Sequence, residues 1–370
     1  MSKKFVAIGN AVSFLGQVVQ VGTLPVALPL MAVEKNGGPI VVAMIASLVW
    51  LPVFFMSAWV ASLVSSLGAK LTCQIGMMAT AFGSGLLLVS PELAMLTLAS
   101  TVCGIGLAFR WIAADSLIVS YAGKSYMGRA VGIHETFMGL GMAVGPVIVA
   151  WLGAGPLLSF FNVFLSMLSF GLCFFLPGAV TKKRGKVSKF FFGRISPSWL
   201  AISSGAMEAF SLSFVVIFLV EKQWSTLHAL YVLSAFGWGG SVLQPALGFL
   251  SDKFGYRLAA RICFAVVIIA SIFFIFIRPS LPLLIPIAVA FCWGGAAGGL
   301  NSLAVIVAGT QPIAAVRNEK ISSVARSYTL GSAVIPGVVA ISSYLSEGGL
   351  VFALFASVAA WFFFNWKGAV

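Results

Sequence analysis

The chain has 370 residues, 60% of them hydrophobic and 8% charged, with a mean hydropathy of +1.08 and a formal net charge of +13. A water-soluble globule is excluded, because soluble domains are about half apolar and roughly a quarter charged. The excess of basic residues, 22 Lys and Arg against 9 Asp and Glu, needs no nucleic acid partner if the cations sort to one side of a membrane.

A bilayer core about 30 Å thick is crossed by about 20 apolar residues rising 1.5 Å each. Stretches free of Asp, Glu, Lys and Arg fill the chain and predict twelve helices, at about 5–32, 39–63, 71–90, 93–120, 129–152, 156–177, 197–220, 227–250, 257–277, 281–307, 320–345 and 348–366. The uncharged run 136–181 is long enough for two passes and carries a turn signal at Gly153-Ala154-Gly155-Pro156. Glu208, by contrast, interrupts a single pass. The first segment, after Met1-Ser2-Lys3-Lys4, is longer than the apolar region of a signal peptide and is expected to remain as a helix. No strand-sized alternation with turn spacing is present, which excludes a β-barrel. The expected fold class is an all-α membrane protein.

Placing the amino terminus in the cytoplasm puts eighteen of the 22 Lys and Arg in inside loops and ends, against three outside: Lys35, Lys222 and Arg278. Arg110 is the remaining one, at membrane depth. The positive-inside rule therefore predicts a multi-pass protein of the cytoplasmic (inner) membrane with both termini in the cytoplasm. Cys73, Cys103, Cys173, Cys263 and Cys292 all fall in apolar runs without metal-ligand spacing and are expected to be small buried hydrophobes. No metal and no cofactor is expected.

The most polar internal segment lies halfway along the chain and reads as a basic cytoplasmic linker over 181–196, between a first unit at 1–180 and a second at 197–370. Repetition supports the division. Ser116-Leu-Ile-Val-Ser-Tyr-Ala-Gly123 shares five of eight residues with Ser302-Leu-Ala-Val-Ile-Val-Ala-Gly309 at an offset of 186, preceded by Asp115 and Asn301. Residues 61–71 meet 248–258 at an offset of 187, sharing Leu63/Leu250, Gly68/Gly255 and Leu71/Leu258. At an offset of 191, Glu135 meets Arg326 and Gly145-Pro146 meets Pro336-Gly337. Blocks in the same order at nearly one offset imply two pseudo-symmetric six-helix bundles.

The stretch Gly248-Phe-Leu-Ser-Asp-Lys-Phe-Gly-Tyr-Arg257 resembles the loop signature of the major facilitator superfamily, Gly-x-Leu-x-Asp-x-x-Gly-x-Arg, through Gly248, Leu250, Asp252, Gly255 and Arg257. In the first half Gly68 and Lys70 survive, but Ser65 replaces the acid. The resemblance implies parallel six-helix halves and alternating access, with the loop acting as a cytoplasmic latch in which Asp252 faces a helix amino terminus. A plain positive-inside turn would explain Lys253 and Arg257 but not the spaced glycines and the acid. Gly141-Met-Ala-Val-Gly145-Pro146 on the fifth helix is similar to the Gly-x-x-x-Gly-Pro motif of proton-linked antiporters in the same superfamily, although Val149 and Ala150 stand where glycines usually follow. Small residues four apart also serve close helix packing, so this motif carries two readings.

Three acids lie within the predicted helices, Asp115, Glu135 and Glu208, and Arg110 joins them at membrane depth. Each costs roughly 2.5–3.5 kcal/mol at a helix centre, so each is expected to be partnered or to face water. Arg110 and Asp115 are five apart, about 140° around the helix, and must look to other helices; Glu135 is one candidate partner for Arg110. Asp115, opposite Asn301 in the repeat, reads as a shared polar tether. Glu135 and Arg326 read either as a cytoplasmic gate or as locally paired charges. Arg110 and Glu208 have no charged counterpart in the other half, and the resemblance places their helices, the fourth and seventh, along the central cavity. They are therefore the leading candidates for proton or substrate chemistry. Gln17, Asn10 and Gln20 on the first helix and Trp293 on the tenth are either pathway or packing residues. His134, beside Glu135, is read as a packed, hydrogen-bonded histidine, because neighbouring side chains point about 100° apart.

The expected function is secondary active transport of a small organic molecule by a monomer, through proton-coupled export. The alternative is uptake of an anionic metabolite held by Arg110, by symport or facilitated diffusion. A non-transporting receptor or assembly protein on the same fold is a third reading. With scattered acids, two histidines and no His-Glu-x-x-His, the chain is not expected to be an enzyme.

Overall fold

The computed structural model describes residues 2–90, 92–121, 127–177, 197–309, 314–345 and 349–365. The linker at 181–196 lies outside them. Among the described residues the chain is helical and has no strand, and ten helices are long and apolar enough to cross a membrane. In chain order these are α1 (Lys4–Glu34), α2 (Pro39–Val60), α3 (Ser66–Val89), α4 (Leu93–Ile118), α5 (Ile133–Leu152), α6 (Pro156–Cys173), α7 (Ser198–Glu221), α9 (Tyr256–Ile275), α10 (Leu284–Val307) and α11 (Ser323–Ser343). At the remaining two predicted positions stand the shorter helices α8 (Thr226–Val242) and α12 (Gly349–Asn365). The chain divides into two compact units, Met1–Val187 and Ser188–Val370.

The expected single helix at 227–250 is in fact two. α8 stops at Val242, Leu243 turns, and a second helix runs Gln244–Phe254 with Pro245 in its first turn. Proline has no amide hydrogen to continue the ladder, so the helix is re-initiated where it stands. The second helix of the first unit breaks in the same way: a turn at Val49–Trp50 precedes a helix that starts at Leu51 with Pro52 in its first turn.

Other features recur in both units. The first helix of each contains a buried π-helical segment, Val18–Thr23 in α1 and Ser211–Val215 in α7. Pro146 and Pro336 lie inside α5 and α11. Gly68 and Gly255 take nearly the same left-handed backbone, φ 85°, ψ 159° and φ 85°, ψ 149°. Side chains other than glycine rarely adopt it. The aligned glycines at 61–71 and 248–258 therefore mark one loop geometry used twice.

Lipid is as apolar as a leucine side chain, so helix association within each unit relies on close packing and buried hydrogen bonds. In the first unit Val12, Val60, Cys73, Met77, Phe109, Ala113 and Cys173 form a core. The core of the second is aromatic: Trp293, 1% exposed, touches Phe210, Phe236, Phe274 and Phe352. Trp293 thus packs in the core rather than on a pathway wall. Cys73, Cys103, Cys173 and Cys263 are buried as expected, but Cys292 is exposed. It is one residue, about 100°, away from the inward-facing Trp293, which turns it to the surface.

Candidate functional site

In the first unit the site is built around Arg110, whose side chain is fully buried. Its Nε donates to Gln20 Oε1 at 2.5 Å, one terminal nitrogen to Gln17 Oε1 at 2.7 Å, and the other to the Ser13 carbonyl at 3.4 Å and Met138 Sδ at 3.5 Å. Gln17 and Gln20 are three apart and share a face of α1, so one guanidinium spans both. Gln20 in turn donates to Thr80 Oγ1 on α3, whose own hydroxyl donates to the Gly76 carbonyl at 2.9 Å. Gly16 leaves the room that Arg110 fills, since a Cβ there would overlap its Cδ. The bonds of Arg110 thus run to neutral groups, the amides and a carbonyl of α1 and a thioether of α5, in place of the expected pairing with Glu135. Charge-assisted hydrogen bonds contribute roughly 1.5–3 kcal/mol each, which is enough for two amides to offset the insertion cost.

Asp115 pairs across helices with the residue before Glu135. His134 is buried, its Nε2 lies 3.1 Å from Asp115 Oδ1, and its Nδ1 lies 3.0 Å from Asn10 Oδ1. This Asn10–His134–Asp115 chain ties α1, α5 and α4 together. Asp115 is half-exposed, and Glu135 faces outward.

The α5 motif is a contact surface. A Cβ on Gly145 would fall on the backbone of Gly22, and one on Gly141 would meet Gln17 Cβ and the Phe14 carbonyl. Gly22 answers from α1 with the Gly141 carbonyl and Gly145 Cα as its neighbours. Pro146 is buried beside them. The helix that carries Gln17 and Gln20 is thereby held backbone to backbone against α5.

In the second unit the corresponding helices, α7 and α11, also touch through glycines: Gly205 against the Tyr328 carbonyl and Gly331 against the Ile202 carbonyl. Ser332 Oγ adds a bond to the Gly205 carbonyl at 3.0 Å. Beside this crossing lies half-buried Glu208. Its Oε2 accepts from the Tyr328 hydroxyl at 2.6 Å and its Oε1 from Ser204 Oγ at 3.1 Å. Among the described residues no Lys, Arg or His pairs with it. Ser204 was accessible to a helical wheel, being four residues before Glu208 on one face; Tyr328, from another helix, had no sequence signal.

Of the loop residues, Gly248 is half-buried in the Gln244–Phe254 helix, Gly255 forms the turn, Arg257 is exposed at the start of α9, and Arg326 is half-buried in α11. Asp252 is helical, its side chain lying outside those described. Among the described residues no group of three His, Cys, Asp or Glu converges as a metal would require.

Among the described residues, ten membrane-length helices and two shorter ones at the remaining predicted positions, with matching π segments, prolines and loop glycines in two units, define a class of membrane protein, and the comparisons agree. The sequence matches the family model of the Major Facilitator Superfamily over residues 6–340, and the chain belongs to that family. It is 26% identical over 180 residues to a Bacillus subtilis (strain 168) protein described as the uncharacterized MFS-type transporter YfkF; the match spans 44% of this chain and 46% of that one, less than half of either. The fold is similar to crystal structures of the nucleoside transporter NupG, in a mutant form at a TM-score of 0.81 and 14% identity over 98% of this chain and 100% of that chain. It is also similar to the human organic anion transporter MFSD10 (TETRAN), at a TM-score of 0.72 and 16% identity over 98% and 99%.

Proposed function

We propose that the protein is a secondary active transporter that exports a small organic molecule in exchange for protons by alternating access, with Glu208 as the group that takes up and releases the proton. The observation that carries this reading is the environment of Glu208. A carboxylate at membrane depth is held by two hydroxyls, from Tyr328 and Ser204, and by no cation among the described residues. Hydroxyls donate to a carboxylate and accept from a carboxylic acid, so this pair accommodates either protonation state. A fixed arginine would hold only the charged one. The π segment Ser211–Val215 begins three residues later and provides a place where α7 can change register, so that movement against α11 alters the number of donors on Glu208.

The α5 motif supports export through its likeness to antiporter sequences. The loop residues Gly248, Asp252, Gly255 and Arg257, with Arg326, are assigned to the cytoplasmic latch and gate. Asp115 and Gln17 act in this reading as tethers of α1. A second reading, uptake of an anionic metabolite, draws on Arg110, whose hydrogen bonds go to amides, a carbonyl and a thioether rather than to a carboxylate.

The test is transport by full-length protein in proteoliposomes, with and without an imposed pH gradient. The compound panel includes nucleosides and organic anions, after the structural neighbours. Glu208→Gln is expected to abolish gradient-driven export while ligand binding persists. Undiminished export in that variant overturns the carboxylate assignment, and anion-dependent binding that vanishes in Arg110→Ala selects the second reading.

A further inference from the structure

We propose that the second unit carries a site for an anionic phospholipid, with an acyl chain lodged beside α12 and the phosphate on the arginines of α9. α12 packs along α9 but stands away from α11, and the gap is a cavity of about 600 Å³. Its walls include Ile202 and Met207 of α7, Phe264 of α9, Ile335 of α11, and Leu354 and Val358 of α12; Ser203 brings the only hydroxyl. The seam continues between α11 and α12 as a second cavity of about 220 Å³, with Leu354 common to both. Ligand cavities run from about 300 to 1,000 Å³, so the larger one has the capacity for a bound molecule.

Three observations select a lipid over a transported solute. The cavity and Glu208 lie on different faces of α7: Glu208 is two residues past Ala206 in the lining, about 160° around the helix. The rim is exposed and apolar, with Leu354 42%, Val358 39% and Trp361 54% exposed, as a surface against hydrocarbon would be. From Leu354 to Phe362 the wall is about 12 Å deep at 1.5 Å per residue, comparable to one leaflet of a core about 30 Å thick.

Charge identifies the headgroup. Helices of alternating direction bring the starts of α7 and α9 and the end of α12 to one end of this unit, where Trp199 and Trp361 flank the cavity as interfacial aromatics do. Arg261 lies one turn before the cavity residue Phe264 and Arg257 one turn before that, all within about 60° of the α9 circumference. Both arginines are exposed. With Lys253 they set three cations against a single acid, Asp252, in residues 250–263. A planar guanidinium binds phosphate oxygens in pairs, which a zwitterionic headgroup offers with less net attraction.

The experiment titrates purified full-length protein in detergent with dioleoyl phosphatidylglycerol, dioleoyl phosphatidylcholine and oleyl alcohol, reading bound lipid by native mass spectrometry. One phosphatidylglycerol is expected to bind more tightly than phosphatidylcholine. Arg261→Gln should weaken it about tenfold, the order of one lost charge-assisted hydrogen bond, and leave phosphatidylcholine unchanged. Val358→Trp and Ser203→Phe fill the cavity from different helices, and whichever stays monodisperse should lose both phospholipids. Equal affinity for the two headgroups, or phosphatidylglycerol binding that survives a folded cavity-filling variant, overturns the proposal. Oleyl alcohol bound as tightly as phosphatidylglycerol also overturns it, making the cavity a site for lipophilic solutes.

Discussion

Arg110 in the first unit and Glu208 in the second are charges of opposite sign placed inside closely similar frames. Arg110 reaches the first helix of its unit from α4, and Glu208 stands on the first helix of the other, each next to a π segment where that first helix crosses the fifth through glycine contacts. The shells differ in kind. Arg110 is fully enclosed by side-chain amides, a carbonyl and a thioether, none of which titrates near neutral pH. Glu208 is half-buried between hydroxyls that serve either protonation state. The backbone repeats while the chemistry does not, so the recurring parts are read as scaffold and the unequal parts as function. In the first unit the charge ties α1, α3 and α4 together; in the second, under the function proposed above, it is the group that changes.

The strongest way to break this division is at the crossings. Gly145→Val would drive a side chain into the Gly22 backbone, and Gly205→Val into the Tyr328 carbonyl. Backbone cannot swing aside as a flexible side chain does, so the cost should exceed the roughly 1–3 kcal/mol of ordinary overpacking. Both variants should lose monodisperse protein on size-exclusion chromatography. If only one does, the crossings are not equivalent scaffold.

A smaller effect separates the two shells. Gln20→Leu removes the acceptor of Arg110 Nε and the donor to Thr80, leaving a buried cation short of a partner. A loss of about 2.5–6 kcal/mol in unfolding stability is expected, which is the sum of a charge-assisted bond and an unsatisfied group. Adding Arg110→Met should recover part of it, because the charge that needed the amide is gone. Simple additivity of the two changes, measured by thermal melts in one detergent, would mean that Gln20 and Arg110 are not a unit.

How much of this was legible beforehand follows the physics of each feature. The span positions were legible because hydrocarbon thickness imposes a run length on any helix, and they hold to within a few residues except around Trp50 and Leu243. There Pro52 and Pro245 decided breaks that apolar composition did not register. The small-residue face of α5 could be read from Gly141 and Gly145, but its partner Gly22 could not, because a helical wheel describes one helix and not its neighbour. For the same reason Glu135 was offered to Arg110 although Gln17 and Gln20 hold it. Trp293 was open to either reading because an indole is equally at home in a core and on a pathway; the five aromatic rings around it, Phe210, Phe236, Phe274, Phe352 and Phe355, decide for the core. The π segments had no sequence signal at all.

The mildest test concerns the two loop glycines, where the sequences differ in charge and the backbones nearly coincide. Gly68 follows Ser65 and Gly255 follows Asp252, yet both sit at φ 85°. Alanine at that backbone is strained by about 1–3 kcal/mol wherever it is placed. Gly68→Ala and Gly255→Ala should therefore lower thermal stability by similar amounts. Their effects on transport should separate, because only the second loop carries the acid assigned to the latch: Gly255→Ala should slow the conformational cycle beyond its cost in stability, and Gly68→Ala should not. Equal losses of transport rate at matched stability would make both loops plain turns, and the charges at 252–257 would then reduce to a signal for which side of the membrane they occupy.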